Sequence, residues 1–464
     1  MISETVIELS CWQFGITILF HFIFIPLTVG LAFFLAILES LYVLTGRDIY
    51  QKSCLFWSRF FTISFALGFA SRLILISQFG MNASYFSQYA GDVFAVPLAI
   101  EALTSFFPVF ALFGAYSFGW ERCSKSQHLM ITWFICLAIN LSTWWALTSY
   151  CWMQNPVGGS FNYESFRIEL NDISQLLLNP LIITKLIHNV AAEYATAAAT
   201  ILAISAYLLL KNPADALAKC SFKPATVLGL VATLAICAGD NTPYQDSPTQ
   251  IHKLAAINGD NFAKFLPEIK THIRNGIKAY SLLQELRDES KNPQVRSDFN
   301  DLKSDLGYAL LLEKINPHIT EANDKQIDQA AQFSLPNHPA LILWCFRIMI
   351  AGGIIYLALF VTAIAYGFNQ KPLQTWLLKL SYYLLPFSWL AYFSGWLIAE
   401  LGKQPWAIAE ILPAAMSISS LSVKELLLSI GIYSILYCAL AFIGIFLSRE
   451  IIQKHILDLS QKTI

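Results

Sequence analysis

A helix needs roughly 20 consecutive apolar residues to cross the hydrocarbon core of a bilayer, and this chain offers such runs repeatedly. Nine candidate spans can be marked, at 15–42, 54–78, 94–120, 129–151, 180–210, 223–239, 340–368, 374–400 and 425–448. In lipid every backbone N–H and C=O must be satisfied within the spanning structure, and runs of this length do so as helices. The expected fold is therefore an all-α polytopic membrane protein with about nine transmembrane helices in a bundle. Composition agrees: 56% of residues are hydrophobic and only 13% charged, far from the balance of a soluble domain. The net charge of -1 gives no reason to expect a nucleic-acid partner. Met1 to Ser10 hold two glutamates and no basic residue, so no cleavable secretory signal is expected. The nine cysteines form no CxxC pair and read as small buried hydrophobes rather than a disulfide or zinc framework.

The short connections alternate in basic content. Arg47 and Lys52 lie in 45–53, Arg122 and Lys125 in 121–128, Lys211, Lys219 and Lys223 in 211–223, and Lys371 in 369–373. Between them, 79–93 has no basic residue and 152–179 has only Arg167. By the positive-inside rule the basic connections are cytoplasmic. Nine spans then leave the N-terminus outside and the tail, with Arg449, Lys454 and Lys462, inside. Three regions result: helices 1 to 6 in 1–239, a polar excursion on the outer face in 240–337, and helices 7 to 9 with the tail in 338–464. The excursion is far longer than an ordinary loop. Within it, Ile273, Ile277, Tyr280, Leu283 and Leu286 recur at helical spacing, so 262–312 reads as amphipathic helix and the excursion as a folded lid.

A few polar side chains interrupt the apolar runs. Glu400 ends one, in Gly395-Trp396-Leu397-Ile398-Ala399-Glu400-Leu401-Gly402-Lys403-Gln404-Pro405-Trp406. Pro405 stops the helix, and the two tryptophans suit a membrane interface, where a glutamate either meets water or is paired or coordinated. Of the eight histidines only His21 and His188 fall inside spans, the others sitting in loops, in the tail or at span edges. Each is either a helix-packing hydrogen bonder or an axial ligand to a haem clasped by the bundle. Lys185 lies three residues before His188, on the same helical face and able to meet a propionate. Met349, in Cys345-Phe346-Arg347-Ile348-Met349, is core filler unless it joins an imidazole as a second axial ligand.

Taken together, the motifs resemble one family. Ile7-Glu8-Leu9-Ser10, Phe20-His21-Phe22 with Pro26-Leu27-Thr28, and Gln78-Phe79-Gly80-Met81-Asn82 resemble subunit I of the cytochrome bd quinol oxidases. So do Pro97-Leu98-Ala99-Ile100-Glu101, Trp152-Met153-Gln154-Asn155-Pro156, the His188 segment, Phe346-Arg347-Ile348-Met349, the Glu400 motif, and Arg274-Asn275-Gly276 with Lys278-Ala279-Tyr280-Ser281-Leu282-Leu283. The resemblance covers essentially the whole chain, in order. It implies a bacterial inner-membrane enzyme that oxidises quinol near the outer face and reduces O2 to water, generating a proton gradient without pumping. It implies a low-spin haem b on His188 and Met349, with Arg347 and Lys185 near its propionates. A high-spin haem b and a haem d would use His21 and Glu400, with Trp396 beside them. Glu101 would lie on a proton route, and the excursion would be the quinol-binding loop, with Lys253 at its matched lysine. A second membrane subunit (subunit II) is implied, with a small single-span subunit as a further candidate.

The departures from the family pattern are specific. A second glutamate expected eight residues after Glu101 is Val109; an arginine early in the first span is Cys11; a glutamate of the second span is Ile76. Lys403 replaces the arginine of the Glu400 motif, keeping the charge but losing the bidentate fork, and Asn258 replaces a loop glutamate that could accept a proton. Arg72 and Glu193 are added charges inside spans, each expected to pair with the other or with a propionate, unless Arg72 snorkels outward. Three readings follow: a working oxidase subunit with altered proton and quinol sites, a haem-bearing paralogue that has lost part of the reaction, or a transporter with Arg72, Glu193 and Glu400 as its polar pathway.

Overall fold

The computed structural model describes residues 3–238, 247–287, 292–367 and 373–461; Lys371 and Lys462, and the expected span ends at 239 and 368, lie outside them. Among the described residues nine segments are long and apolar enough to cross a membrane, one for each expected span. Several are broken rods.

The first consists of α1 (Glu4–His21) and α2 (Ile25–Thr45). Pro26 opens α2, where its missing N–H costs nothing, so the chain turns between the two helices and leaves His21 at a helix end. α3 (Asp48–Met81) is continuous. α4 (Ser84–Glu101) runs into a π turn at Ala102–Phe106 and then α5 (Phe107–Phe118), so Glu101 is the last α-helical residue before an irregular turn. Such turns cluster at functional sites. α6 (Lys125–Gln154) starts from a capping box between Ser124 and Gln127. A hairpin of β1 (Gly159–Asn162) and antiparallel β2 (Arg167–Leu170) and the short α7 (Ile173–Leu177) lead to α8 (Pro180–Lys211) and α9 (Ala216–Ala238).

α2 is the axis of the bundle, packed against α3, α6 and α8. Leu31, Phe34, Leu35 and Leu38 on it are fully buried with Trp57 and Phe61 of α3 and Ile201 and Leu202 of α8. The approach of α2 to α8 depends on Gly30: a Cβ there would overlap that of Ala197 and come within 3.2 Å of the Glu193 carbonyl oxygen. Small residues at such crossings let membrane helices pack closely.

The excursion is folded, as its periodicity predicts, but as several helices rather than one. α10 (Pro248–Asn258) lies apart from α11 (Leu266–Arg287), which is followed by α12 (Pro293–Leu302), α13 (Leu306–Leu310) and α14 (Asp324–Phe333). Ile273, Leu283 and Leu286 of α11 are buried, and Ile277 and Tyr280 pack against the same cores. The long helix expected over 262–312 is interrupted because Pro293 opens a new helix and Gly307 presses against the Glu410 carbonyl.

The remaining spans are α15 (Pro339–Gly367), the pair α16 (Thr375–Tyr383) and α17 (Leu385–Lys403), and α18 (Val423–Gln461). After α17 a small hairpin, β3 (Trp406–Ile408) with β4 (Leu412–Pro413), plugs into the excursion. Trp406 is only 2% exposed there, edge-on to Tyr308 at 5.2 Å, so the interfacial role expected for it is replaced by anchoring the lid. The cysteines are all free, but only four are buried; Cys11, Cys237 and Cys438 are exposed, correcting the expectation of a uniformly buried set. An ion pair of Lys314 with Glu4 (2.8 Å) holds the first helix to the excursion, so both lie at one end of the bundle. His455 of α18 pairs with Asp215, in the α8–α9 turn, at 2.9 Å at the other.

Candidate functional site

His21 is 8% exposed and its Nδ1 lies 2.8 Å from Ser71 Oγ on α3. The Ser71 hydroxyl donates to the Gly68 carbonyl (2.9 Å), so it can only accept from the imidazole. Nδ1 therefore carries the proton and the Nε2 lone pair is left for a metal, the arrangement by which a ligating histidine is usually oriented. The ring of the next residue, Phe22, meets Trp396 at 5.9 Å and Tyr392 at 6.3 Å, both edge-on. α17 is thereby brought against the α1–α2 break.

One residue past Ser71, Arg72 forks onto the fully buried Glu101, with Nη1–Oε1 at 2.8 Å and a second bond from Nη2 to Oε2. Ser142 of α6 also donates to Glu101. The expected partnership of Arg72 with Glu193 is thus not formed, nor does Arg72 snorkel outward. The reason is position: residues 71 and 72 point to neighbouring faces of α3, one toward His21 and one toward the end of α4. Glu193, 1% exposed, takes a bond from Asn189 Nδ2 (3.3 Å), while its Oε2 is buried without a partner among the described residues.

A second polar cluster lies at the excursion end. Lys403 pairs with Glu400 at 2.9 Å and stands 5.2 Å over the Tyr150 ring. Lys185 bonds Gln154 Oε1 and lies 5.7 Å over the same ring. Lys253 of α10, 6% exposed, donates to Gln250 Oε1 at 2.6 Å, and Gln250 reaches Gln154 at 3.5 Å. Gly402 makes room for it, since a Cβ there would strike the Lys253 side chain. Burial pushes the Lys253 ammonium well below the usual lysine range, and the like charge of Lys185 adds to this. Three lysines therefore converge with one carboxylate. The Gln154 amide nitrogen is buried beside them without an acceptor among the described residues, and the Tyr150 hydroxyl has Glu400 and Gln154 as polar neighbours. A cluster short of acceptors and negative charge suits an anionic ligand group.

Met349 of α15 lies at the α17 surface, where a Cβ on Gly395 would be 3.2 Å from its sulfur. α17 packs against α8 as well, which carries His188, half-buried, one turn from Lys185. Arg347 stands on the exposed side of α15, 5.1 Å over the Trp344 ring. No group of three or more His, Cys, Asp or Glu side chains able to hold a metal ion is found among the described residues. Single axial ligands to separate planar groups would form no such cluster.

The family model for cytochrome bd terminal oxidase subunit I matches residues 9–456. The chain belongs to this family. It is 36% identical to the cytochrome bd-II ubiquinol oxidase subunit 1 of Escherichia coli, over 94% of each chain. It is 31% identical to a cytochrome bd ubiquinol oxidase subunit 1 of Bacillus subtilis, over 95% of this chain and 92% of that one. The bd oxidase structure from Geobacillus thermodenitrificans shares the fold, with a TM-score of 0.73 over 98% of this chain and 100% of that one at 17% identity. The chain is thus a terminal-oxidase subunit of electron transport, and a multi-pass membrane protein. The transporter reading falls with this result.

The family departures sit in different surroundings. Val109 is buried among apolar side chains, whereas Ile76 and Cys11 are exposed, and Asn258 is exposed at the end of α10. Sequence reasoning missed Ser71, Ser142, Tyr150 and Gln250, which are ordinary residues until the bundle brings them together, and met Gln154 only as part of a motif. It also placed His128 at a span edge. That histidine is 1% exposed, with Nδ1 2.6 Å from the buried Glu39 and Nε2 2.9 Å from the Tyr116 carbonyl. The signal was present: His128, Thr132, Cys136 and Asn140 recur every four residues along one stripe of α6.

Proposed function

We propose that this chain is the haem-bearing subunit of a bacterial inner-membrane oxidase that oxidises quinol at the excursion end and reduces O2 to water. The N-terminus and excursion are periplasmic and the end of α18 cytoplasmic, as the basic connections indicate. Protons for water come from the cytoplasm and those of quinol are released outside, so turnover builds a gradient without pumping. Subunit II, and a small single-span subunit, complete the assembly.

The observation that carries this reading is the converging Lys185, Lys253 and Lys403 with the orphaned amide donor of Gln154, against Glu400 alone. These groups fit carboxylate-bearing haems: propionates would supply the missing acceptors. His188 and Met349 would hold the low-spin haem b, with Lys185 and Arg347 near it; His21 and Glu400 would hold the high-spin haem b and the haem d, with Trp396 alongside. When bound, those groups relay single electrons and give O2 an open coordination position. The protein's share is to orient His21 through Ser71, to keep Glu400 and Lys403 paired, and to hold Glu101 and Arg72 beside His21. Lys253, its ammonium weakened by burial, can take a quinol proton at Nζ, which exposed Asn258 cannot.

The test is oxygen consumption by the purified assembly with a ubiquinol and with a menaquinol. Turnover that falls at least tenfold in Lys253→Met, with reduction by a small artificial electron donor retained, supports the reading. A wild-type assembly that carries haem and consumes no oxygen with either quinol would favour the haem-bearing paralogue.

A further inference from the structure

Two buried acids, Glu101 and Glu193, lie within the bundle, and their hydrogen-bond environments are opposite. Every neighbour of Glu101 is a donor: both arms of Arg72 and the Ser142 hydroxyl. Such a carboxyl accepts from all three donors and is fixed by a bidentate fork. Glu193 receives one amide N–H, from Asn189, and its Oε2 is buried with no donor among the described residues. An uncompensated carboxylate in such surroundings is strongly disfavoured, and a protonated carboxyl is the form that suits it. Tyr392 of α17 and the adjacent Tyr194 lie within its electrostatic reach, and neither is cationic.

Its depth matters too. α1 starts at the excursion end, so α2 leads away from His21 toward the opposite face. Glu193 lies level with Gly30, about 7 Å along α2 from its start by helical rise. Tyr392, in reach of Glu193, touches Phe22, which follows His21 in the chain. Glu193 therefore lies on the inner side of the proposed oxygen-reducing site, with Tyr392 and Phe22 between it and His21.

Farther inward the same side of the bundle carries the buried Glu39–His128 pair. His128 Nε2 must donate to the Tyr116 carbonyl, so Nδ1 and Glu39 share one further proton between them at 2.6 Å. Thr132 donates to the other Glu39 oxygen at 2.5 Å, and two turns along the same stripe Asn140 accepts from Tyr194, the residue beside Glu193. Between Thr132 and Asn140 the rise is about 12 Å, with Cys136 midway on the same stripe and its sulfur 3.7 Å from Asn140 Nδ2.

We propose that in this chain the transferable proton of the oxygen-reducing site resides on Glu193, not on Glu101, and is replenished from the inner face through the Glu39–His128 pair. The inference rests on the oxidase reading above. With quinol as reductant, one O2 takes four electrons and four protons to give two waters. In each delivery the O–H bond at Glu193 Oε2 breaks, the proton goes to the oxygen being reduced by quinol electrons, and the carboxylate left is reprotonated from the inner side. Glu101 stays ionised throughout, as the counter-charge of Arg72.

The test is infrared spectroscopy of the purified assembly, with turnover and proton uptake on the same samples. A carbonyl band of a protonated carboxylic acid, lost in Glu193→Gln and kept in Glu101→Gln, is the expected result. Turnover in Glu193→Gln should fall at least tenfold with haem content unchanged, and proton uptake from the inner face should slow in parallel. If Glu193→Gln does not retain haem, Glu193→Asp must shift the band instead. A band indifferent to both Glu193 variants, one lost in Glu101→Gln, or full turnover in Glu193→Gln would overturn the proposal. Failure of the oxidase reading is distinct, since it appears as a wild type without oxygen consumption.

Discussion

Replacing Arg72 by leucine should be among the most damaging single changes in the membrane-embedded part of this protein. Glu101 is fully buried and Arg72 is 25% exposed, so the pair is held largely out of water. Two charge-assisted bonds join them, each worth roughly 1.5–3 kcal/mol net. The guanidinium also lies 5.3 Å over the Phe106 ring, a contact of about 0.5–1 kcal/mol. Removing one member of a buried pair leaves the other uncompensated, and the measured range for that is about 3–5 kcal/mol. Here the loss should fall near 3 kcal/mol, because Ser142 still donates to the stranded carboxylate. Glu101→Gln in the Arg72→Leu background removes the stranded charge and should recover about 2 kcal/mol of it. The assay is a double-mutant cycle on reversible unfolding in mixed micelles, read by tryptophan fluorescence. Single-mutant effects that add to within about 0.5 kcal/mol would show that the two side chains are uncoupled, and the assignment of Glu101 as a fixed charge would go with them.

Three further outcomes are expected. Ser71→Ala removes the acceptor that fixes the His21 tautomer and should lower occupancy of one high-spin haem about 10–100-fold in affinity, with the low-spin signal intact; quantitative haem extraction and optical spectra check this. His188→Ala should abolish the low-spin b signal while the high-spin haems persist, and retention of that signal would refute its ligand role. In the excursion, the bond to Asp305 (2.9 Å) raises the His272 pKa above its ordinary value despite partial burial. A raised folded value stabilises below the unfolded pKa, near 6.5, and the benefit is lost as pH rises through the folded value. Amide exchange in α11 and α13, corrected for intrinsic rates, should therefore quicken from about pH 6 to 8, and His272→Gln should flatten that dependence.

The spans were legible because a bilayer demands uninterrupted apolar length, and Pro26 or Pro405 could only break or end a helix. The lid was legible in kind, through Ile273, Ile277, Tyr280, Leu283 and Leu286, yet the close approach at Gly307 depended on packing against a hairpin more than a hundred residues away in sequence. Site residues divided the same way. His21, His188, Met349 and Glu400 stood out because such side chains are rare in an apolar run. The partner of Arg72 did not, since Glu101 and Glu193 are equally plausible acids until the rotation of α3 is known. Trp406 looked interfacial because its neighbours are, and its true place in the lid's core was invisible without the hairpin. Glu39 and His128 were passed over singly. Only the four-residue stripe on α6, matched to the opposing face of α2, makes them a unit.

The central claim is that the cationic cluster and His21 belong to haem sites of an oxygen-reducing enzyme. A reduced-minus-oxidised optical spectrum of the chain purified with its membrane partner tests it most directly. Low-spin b features together with a far-red chlorin band are the predicted result. A spectrum with no haem at all would contradict the account, leaving Lys185, Lys253 and Lys403 without the acid groups they are arranged to meet.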